Sequence, residues 1–223
     1  MTKNSTIQEL DVLGLAASPG PDCTVDERTT DNVPPTSPPG GMRFDFTKIW
    51  APTAHLKLLG LFNYRAFKEE YNENDVVEIG GAFVRDIRLT KKMKALEEYA
   101  QRLATMRAGN ALNGKPCCKC IDFKMNDRRD MNADPITEPN VRYSLQRYKV
   151  YWEAHCTACR ATSVATRGRT GYSIACSINY ALRDVYEFET WGRIFIPPID
   201  PVGKGFIIEG KWKGTASGSG RGL

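Results

Sequence analysis

Two closely spaced cysteine pairs constrain this chain more than any other feature of its sequence. They lie in the segments Cys117-Cys118-Lys119-Cys120 and Cys156-Thr157-Ala158-Cys159, with 35 residues between them. A C-x2-C pair lets two thiolates reach one ion from a single tight turn, and Zn2+ takes four such ligands in a tetrahedron. The spacing therefore predicts one structural Zn2+ ion. The predicted ligands are Cys117, Cys120, Cys156 and Cys159.

Two neighbouring residues are alternative ligands. Cys118 competes with Cys117, because a pair formed by Cys118 and Cys120 would also reach one ion, although C-x2-C is the commoner knuckle. His155 adjoins the second pair and could replace one of its thiolates. The two remaining cysteines, Cys23 and Cys176, are interpreted as residues without a ligand role.

The cysteine count also bears on the cellular compartment. Seven cysteines would suit a disulfide framework in a secreted chain. The number is odd, however, and the first residues contain no apolar secretory segment. These two observations favour reduced thiols and metal binding. The sequence therefore predicts a cytoplasmic or nuclear protein.

The order of elements around the cysteines resembles a zinc ribbon over residues 115–170. A first knuckle is followed by an insertion, a long predicted strand that leads into the second knuckle, and a short strand from Ala161 to Thr166. The resemblance implies that two knuckles clamp one ion at the end of a small antiparallel sheet. Such ribbons occur in transcription, RNA-processing, ribosomal and viral proteins and as inert braces, so the resemblance implies a fold more than a function. The insertion 126–140 is predicted to be a polar loop.

Composition divides the chain into three parts. Residues 1–42 form a Pro-rich leader with two basic and six acidic side chains, which predicts disorder and a possible protein-binding role. Residues 43–213 contain the apolar patterning of a globular domain. Residues 214–223 are rich in Gly and Ser and are predicted to be a flexible tail.

Periodicity within residues 43–213 predicts an α+β fold: a small antiparallel β-rich body with two helices and the embedded zinc ribbon. One helix follows Thr53, and the other runs from Lys91 to Ala108, with Thr90 as N-cap and Gly109 as the C-terminal stop. The predicted strands include 76–79, 82–87, 141–154, 172–180 and segments up to residue 212. No apolar run approaches the roughly 20 residues of a membrane span.

Charge and aromatic residues concentrate near the predicted ribbon. The net charge is +5, of which the leader carries −4 and the remaining residues +9, and residues 101–169 contain thirteen basic against six acidic side chains. Basic groups neutralise phosphates and exposed rings stack on unpaired bases. We therefore expect binding of RNA or another single-stranded nucleic acid. The predicted contact residues are Lys119, Arg142, Arg147, Lys149, Tyr151, Arg160, Arg167 and Arg169.

Enzymatic sites find little support in the sequence. Pro116, Cys117 and Cys120 match half of a zinc deaminase signature. The other half is an upstream H-x-E motif, but the only upstream histidine, His55, is followed two residues later by Lys57 instead of Glu. No Ser/His/Asp or Cys/His nucleophile set stands out. The sequence thus predicts a non-enzymatic, zinc-stabilised nucleic-acid-binding protein. The alternative is a zinc-braced structural or interaction subunit of a larger assembly, such as a viral accessory or coat component.

Overall fold

A computed structural model describes residues 23–37, 39–46, 72–132, 141, 145, 147–161, 171–186 and 205–221. In these ranges the chain forms one seven-stranded sheet with two α-helices and a short 3-10 turn at Thr30–Asn32. The strands are β1 Thr24–Asp26, β2 Arg43–Phe46, β3 Val76–Ile79, β4 Cys120–Asn132, β5 Arg147–Ala161, β6 Gly171–Tyr186 and β7 Phe206–Arg221. The helices are α1 Gly81–Leu89 and α2 Lys91–Asn113.

The four long strands form the centre of the sheet. The spatial order is β1-β4-β5-β6-β7-β3-β2. Strands β4 to β7 are antiparallel neighbours, whereas β1 joins β4, and β3 and β2 join β7, as short parallel strands. The expected α+β class is therefore confirmed, with parallel strands added at both edges of the antiparallel centre.

Helix α2 covers one face of the central strands. Thr90 precedes the helix as its N-cap, and the Thr90 hydroxyl accepts a hydrogen bond from the Met93 amide, as predicted. Three alanines, Ala100, Ala104 and Ala108, are fully buried and let the helix lie close to the sheet. The helix continues past the expected stop at Gly109 to Asn113, and Gly109 is buried close to Tyr172 and Ile174 of β6.

Residues 82–87 form most of helix α1, so the predicted strand is wrong. Gly81 has a φ of 55°, a left-handed conformation that ends β3 and turns the chain into the helix. The buried residues Phe83, Val84 and Ile87 then share one helical face. Val84 and Ile87 follow Phe83 by one and four residues, which is helical spacing. A short apolar run of this kind is equally compatible with a strand, so the sequence alone did not decide between the two.

Alternation along the central strands gives the sheet two different faces. In β5 the even-numbered residues from Tyr148 to Ala158 are buried beneath α2, together with the even-numbered residues of β6 from Ile174 to Leu182. The odd-numbered residues point to the opposite side, which we call the open face. Much of this face is exposed, as at Thr157, Ala175, Ser177 and Asn179.

Several predicted boundaries differ from the structure. Strand β4 extends to Asn132 and so includes the first part, 126–132, of the predicted polar loop, and β7 extends to Arg221 through most of the predicted flexible tail. Strand β1 lies within the predicted leader. The reason is the same in each case: pairing with a long neighbouring strand orders polar or Gly-rich segments that lack a strand pattern of their own. The predicted helix after Thr53 and the strand 161–166 lie outside the described residues, apart from Ala161 itself.

Candidate ligand-binding site

Six of the seven cysteines form disulfides, which corrects the prediction of a zinc site. The bonds join Cys23 to Cys118, Cys120 to Cys159, and Cys156 to Cys176. Cys117 is a free, exposed thiol. In the part of the chain that the structure describes, no group of His, Cys, Asp or Glu residues could hold a metal ion. The four predicted ligands are thus divided between two separate disulfides and a free thiol, and no zinc ribbon forms.

The second cysteine pair fails as a knuckle because it lies on a continuous strand. Residues three positions apart on a strand point to opposite faces. Cys156 therefore faces α2 and bonds to its register partner Cys176, whereas Cys159 faces the open side and bonds to its register partner Cys120. A knuckle would need a tight turn at 156–159, but β5 runs on to Ala161. His155 does not act as a ligand either, and its Nε2 lies 3.2 Å from Glu153 Oε1.

The disulfides also correct the predicted compartment. Disulfides persist in oxidising surroundings and are rare in the cytosol and nucleus. Three of them in this chain suggest an oxidising, extracellular or secreted environment. The predicted cytoplasmic or nuclear location is therefore wrong.

Residues 27–37, which we call the strap, cross the open face of the sheet. The strap follows β1 at the β4 edge, and its path is marked by contacts with successive strands. Asn126 of β4 bonds to Thr29, Glu153 of β5 pairs with Arg28, and Arg183 of β6 donates a hydrogen bond to the Pro35 carbonyl. The sheet thus has α2 on one face and part of the N-terminal segment on the other.

Asn126 holds the strap through a reciprocal pair of hydrogen bonds. The Thr29 amide donates to Asn126 Oδ1, and Asn126 Nδ2 donates to the Thr29 carbonyl, each at 2.8 Å. The Asn126 carbonyl also accepts from the Asn32 side chain at 3.4 Å. Asn126 is 7 % exposed, so these bonds satisfy a polar side chain that would otherwise be buried without partners.

Charged groups fix the start of the strap. Arg28 Nη2 lies 2.5 Å from Asp26 Oδ2, and Arg28 Nη1 lies 2.9 Å from Glu153 Oε1. Hydrogen bonds from Arg28 lower the pKa of Asp26 to about 2. Burial alone would raise the pKa of Glu153, but hydrogen bonds from Arg28 and His155 outweigh it and lower this pKa. Both carboxyl groups therefore stay ionised under mildly acidic conditions.

A pocket of about 830 Å³ lies between the strap and the open face. The strap contributes apolar contacts from Val33 and Pro34, and the sheet contributes Tyr151 and Ala181 at the centre. Polar groups converge on the same space. They come from Arg28, Asn126, Glu153, Asn179, Lys211 and Lys213. The volume and the mixture of apolar and polar walls are typical of a site for a small molecule.

The side of the pocket formed by β7 is cationic. Lys211 and Lys213 are both exposed and lie two residues apart on the open face. Lys211 Nζ is 3.5 Å from Glu209 Oε2, a carboxylate that also contacts Arg43 and Arg183. Across the pocket, the single positive charge of Arg28 faces two carboxylates, Asp26 and Glu153. The β7 side is therefore cationic and the opposite side carries one net negative charge, so the five charged groups that line the pocket sum to +1.

The predicted nucleic-acid contacts do not form one surface in the described part of the chain. Lys119 is exposed at the start of β4, and Arg147 and Lys149 are exposed at the start of β5 on the open face. Tyr151 is only 4 % exposed. Arg160 donates hydrogen bonds to the Leu112 and Cys118 carbonyls and thereby closes the end of α2. Arg142, Arg167 and Arg169 lie outside the described residues.

Sequence reasoning named one pocket residue, Tyr151, for another role and missed the rest, and it also missed the Cys156–Cys176 disulfide, for which part of the signal was present. Alternation in β5 continues through Cys156 and Ala158, and Cys176 is in phase with Ile174 and Ile178. The alternation therefore indicated that Cys156 and Cys176 are buried. Two cysteines that face the same side of neighbouring strands can form a disulfide. Asn126 and the strap carried no such signal, because they lie 97 residues apart in the chain.

No helix in the described ranges is long and apolar enough to cross a membrane.

The comparisons give no family for this chain. Comparison of the chain with protein-family models, curated proteins and solved structures finds no match.

Proposed function

We propose that this protein binds a small amphipathic anion in the pocket between the strap and the open face, in an oxidising environment outside the cytosol. The observation that carries the proposal is the pocket itself, with apolar walls from Val33, Pro34 and Tyr151 and two lysines on the β7 side. A ligand with an apolar body and one anionic end would match both kinds of wall.

The lysines set the expected orientation of the ligand. Its anionic end would lie near Lys213, and its apolar body would extend below the strap toward Tyr151. Lys211 is drawn toward Glu209, so Lys213 provides the less compensated charge. An ammonium that is exposed contributes modestly to affinity, by up to about 1 kcal/mol. Most of the binding free energy would therefore come from the apolar contacts.

The first test is displacement of a fluorescent probe. The oxidised protein is incubated with anilinonaphthalene sulfonate and then with decanoate, decanol or decylamine as competitors. We expect decanoate to displace the probe best, because it alone places a carboxylate near the lysines. Weaker displacement by decanoate than by decylamine would contradict the assignment of the anionic end. A short single-stranded RNA is included as a fourth competitor, and displacement by RNA alone would favour the nucleic-acid prediction.

Two matched substitutions connect the signal to the pocket. Asn179 and Ala175 are both exposed on the open face of β6, but only Asn179 lines the pocket. Asn179→Trp should fill the mouth of the pocket and abolish probe binding, and Ala175→Trp should leave it unchanged. If both variants bind the probe equally, the signal comes from elsewhere on the protein and the proposal fails.

A further pair tests the charge. Lys213→Gln should weaken decanoate binding by up to about fivefold and leave decanol binding unchanged. Lys149→Gln is the control, because Lys149 is exposed on the same face but does not line the pocket. An equal effect of the two substitutions would mean that only the net charge of the protein matters.

The nucleic-acid function stays a prediction from the sequence. Exposed Lys119, Arg147 and Lys149 remain available for phosphate contacts. Tyr151 is buried, and Arg160 donates hydrogen bonds to backbone carbonyls at the end of α2. The pocket therefore has more support as the functional site.

A further inference from the structure

We infer that the Cys23–Cys118 disulfide controls access to the pocket, so that its reduction releases the strap and opens the site. This inference rests on the proposed function, because it describes the regulation of the same pocket. The strap forms one wall of the pocket, and the disulfide precedes it, one residue before β1, which leads into the strap.

The strap is held to the sheet mainly by polar contacts. Most of residues 27–37 are exposed, including Val33 at 53 %. Val25 is only partly buried against the core, and β1 pairs with β4 over three residues. Residues 27–32 are held by further polar contacts: the Glu27 amide donates to the Lys124 carbonyl, Asn126 and Arg128 bond to the strap backbone, and Arg28 pairs with Glu153. A segment with so little apolar burial opens locally at a low free-energy cost.

The disulfide supplies the covalent anchor that these contacts lack. It joins residues 95 positions apart and brings Cys23 to the junction between α2 and β4, with the two Cα atoms 5.8 Å apart. While the bond is intact, a strap that opens stays close to its contacts and closes again quickly. Without it, a strap that has opened is tethered on its C-terminal side alone in the described part of the chain, where the chain continues to β2 at the opposite edge of the sheet.

Accessibility makes this bond the first to be reduced. All six half-cystines are in the described part of the chain, and five of them are buried, with residue exposures of 1–6 %. Cys23 is the only one that is partly exposed. A thiolate in solution therefore reaches the Cys23 sulfur before it reaches the two disulfides between the central strands.

The exchange needs an external dithiol. One thiolate of the dithiol attacks Cys23 Sγ, the bond between the two protein sulfurs breaks, and its electron pair leaves on Cys118 Sγ, which takes up a proton. The second thiolate of the dithiol then attacks the dithiol sulfur of the mixed disulfide and releases Cys23 as a thiolate. The dithiol is oxidised to a cyclic disulfide, and the protein disulfide is reduced to two thiols.

The test follows disulfide content and probe dissociation together. The full chain is treated with increasing dithiothreitol, alkylated and mapped by mass spectrometry, and dissociation of anilinonaphthalene sulfonate is measured at each step. Cys117 is alkylated at every step because its thiol is free. Among the disulfide-bonded cysteines we expect Cys23 and Cys118 to be alkylated first, and the dissociation rate to rise on the order of tenfold, as a loss of about 1.4 kcal/mol from the closed state would give. Reduction of either other disulfide before this one would overturn the inference.

A double variant separates the tether from other effects of the reductant. Cys23→Ala with Cys118→Ala should show the fast dissociation without dithiothreitol and no further change when the reductant is added at the low concentrations that open this bond. Hydrogen exchange should increase in residues 24–32 and stay unchanged in α2, which shows that the domain remains folded. Unchanged exchange in 24–32 would contradict release of the strap.

The two proposals fail in different ways. If the probe never binds in the pocket but residues 24–32 lose protection on reduction, the strap is still redox-controlled and the proposed ligand site is wrong. If the probe binds in the pocket and its dissociation is the same in oxidised and reduced protein, the ligand site stands and the control by the disulfide is refuted.

Discussion

At the scale of single residues, the strap depends on a few polar contacts that the rest of the sheet cannot replace. Asn126 is buried, and both hydrogen bonds of its amide are made to one residue, Thr29. Arg28 connects Asp26 before the strap to Glu153 on β5. The contacts of Asn126 with Thr29 and of Arg28 with Glu153 join segments that are far apart in the chain, so a single substitution can change how the pocket wall is held.

Substitution of Asn126 tests the first contact. Asn126→Leu should leave the amide and carbonyl of Thr29 without these partners, at a local cost of about 1–3 kcal/mol. We expect hydrogen-exchange protection of the Thr29 amide to fall by about tenfold or more, with α2 unaffected. Asn126→Asp keeps an acceptor for the Thr29 amide and should lose less. Equal protection in Asn126→Leu and the unsubstituted protein would show that the clamp does not hold the strap.

Acid should weaken the ion pair between Arg28 and Asp26. The pKa of Asp26 is lowered to about 2 by Arg28, so folding gains stability from this group above its ordinary pKa of 3.8 and loses it as pH falls toward 2. A carbon-13 NMR titration of the Asp26 carboxyl should give a midpoint near 2, and Arg28→Gln should move the midpoint back toward 3.8. A midpoint that does not move in Arg28→Gln would exclude Arg28 as the cause.

At the scale of elements, α2 was the part of the fold best predicted from the sequence. Apolar residues recur at helical spacing over several turns, and Thr90 occupies the N-cap before them. Helix signals are local, so a single segment contains most of the information needed. The end of α2 was missed because it depends on contacts of Gly109 and Leu112 with the rest of the fold.

The N-cap can be tested by two substitutions at one position. Thr90→Ala removes the acceptor of the Met93 amide and should lower the free energy of unfolding by about 1 kcal/mol. Thr90→Ser keeps a hydroxyl and should lose little. Chemical denaturation of the two variants measures the difference, and equal midpoints would show that the cap contributes nothing to stability.

Strand predictions were less accurate than helix predictions. Alternation correctly marked much of β5 and β6, but 82–87 formed a helix, and the polar and Gly-rich parts of β4 and β7 formed strands. A strand is stabilised by its neighbours, and β7 is paired with β6 along its whole length. Its composition alone therefore favoured a flexible tail.

At the scale of the whole molecule, the disulfides join the N-terminal segment, the helix-to-sheet junction and the central strands. Cys23–Cys118 connects β1 to the end of α2, and the other two bonds join β4 to β5 and β5 to β6. Cross-links over such separations stabilise mainly by restricting the unfolded chain, typically by about 2–4 kcal/mol each.

The cysteine assignment makes a direct prediction about the purified protein. Native protein prepared without reductant should contain one reactive thiol, at Cys117, and its mass should be lower by the six hydrogens that three disulfides remove. Cys117→Ser should abolish thiol reactivity and leave the denaturation midpoint unchanged, because Cys117 is exposed. Seven reactive thiols in the folded protein would contradict the disulfide assignment.

The sequence by itself determined the local properties of this protein: the α+β class, the cap and face of α2, the alternation of β5 and the excess of positive charge outside the first 42 residues. It did not determine which cysteines pair, because spacing suggested a knuckle where a continuous strand points Cys156 and Cys159 to opposite faces. Only the tertiary structure decided that pairing, the path of the strap and the pocket beneath it. These features depend on contacts between residues about 20 to 150 positions apart. Side-chain patterns within one segment show which face of a strand a residue occupies, but not which distant residue it contacts.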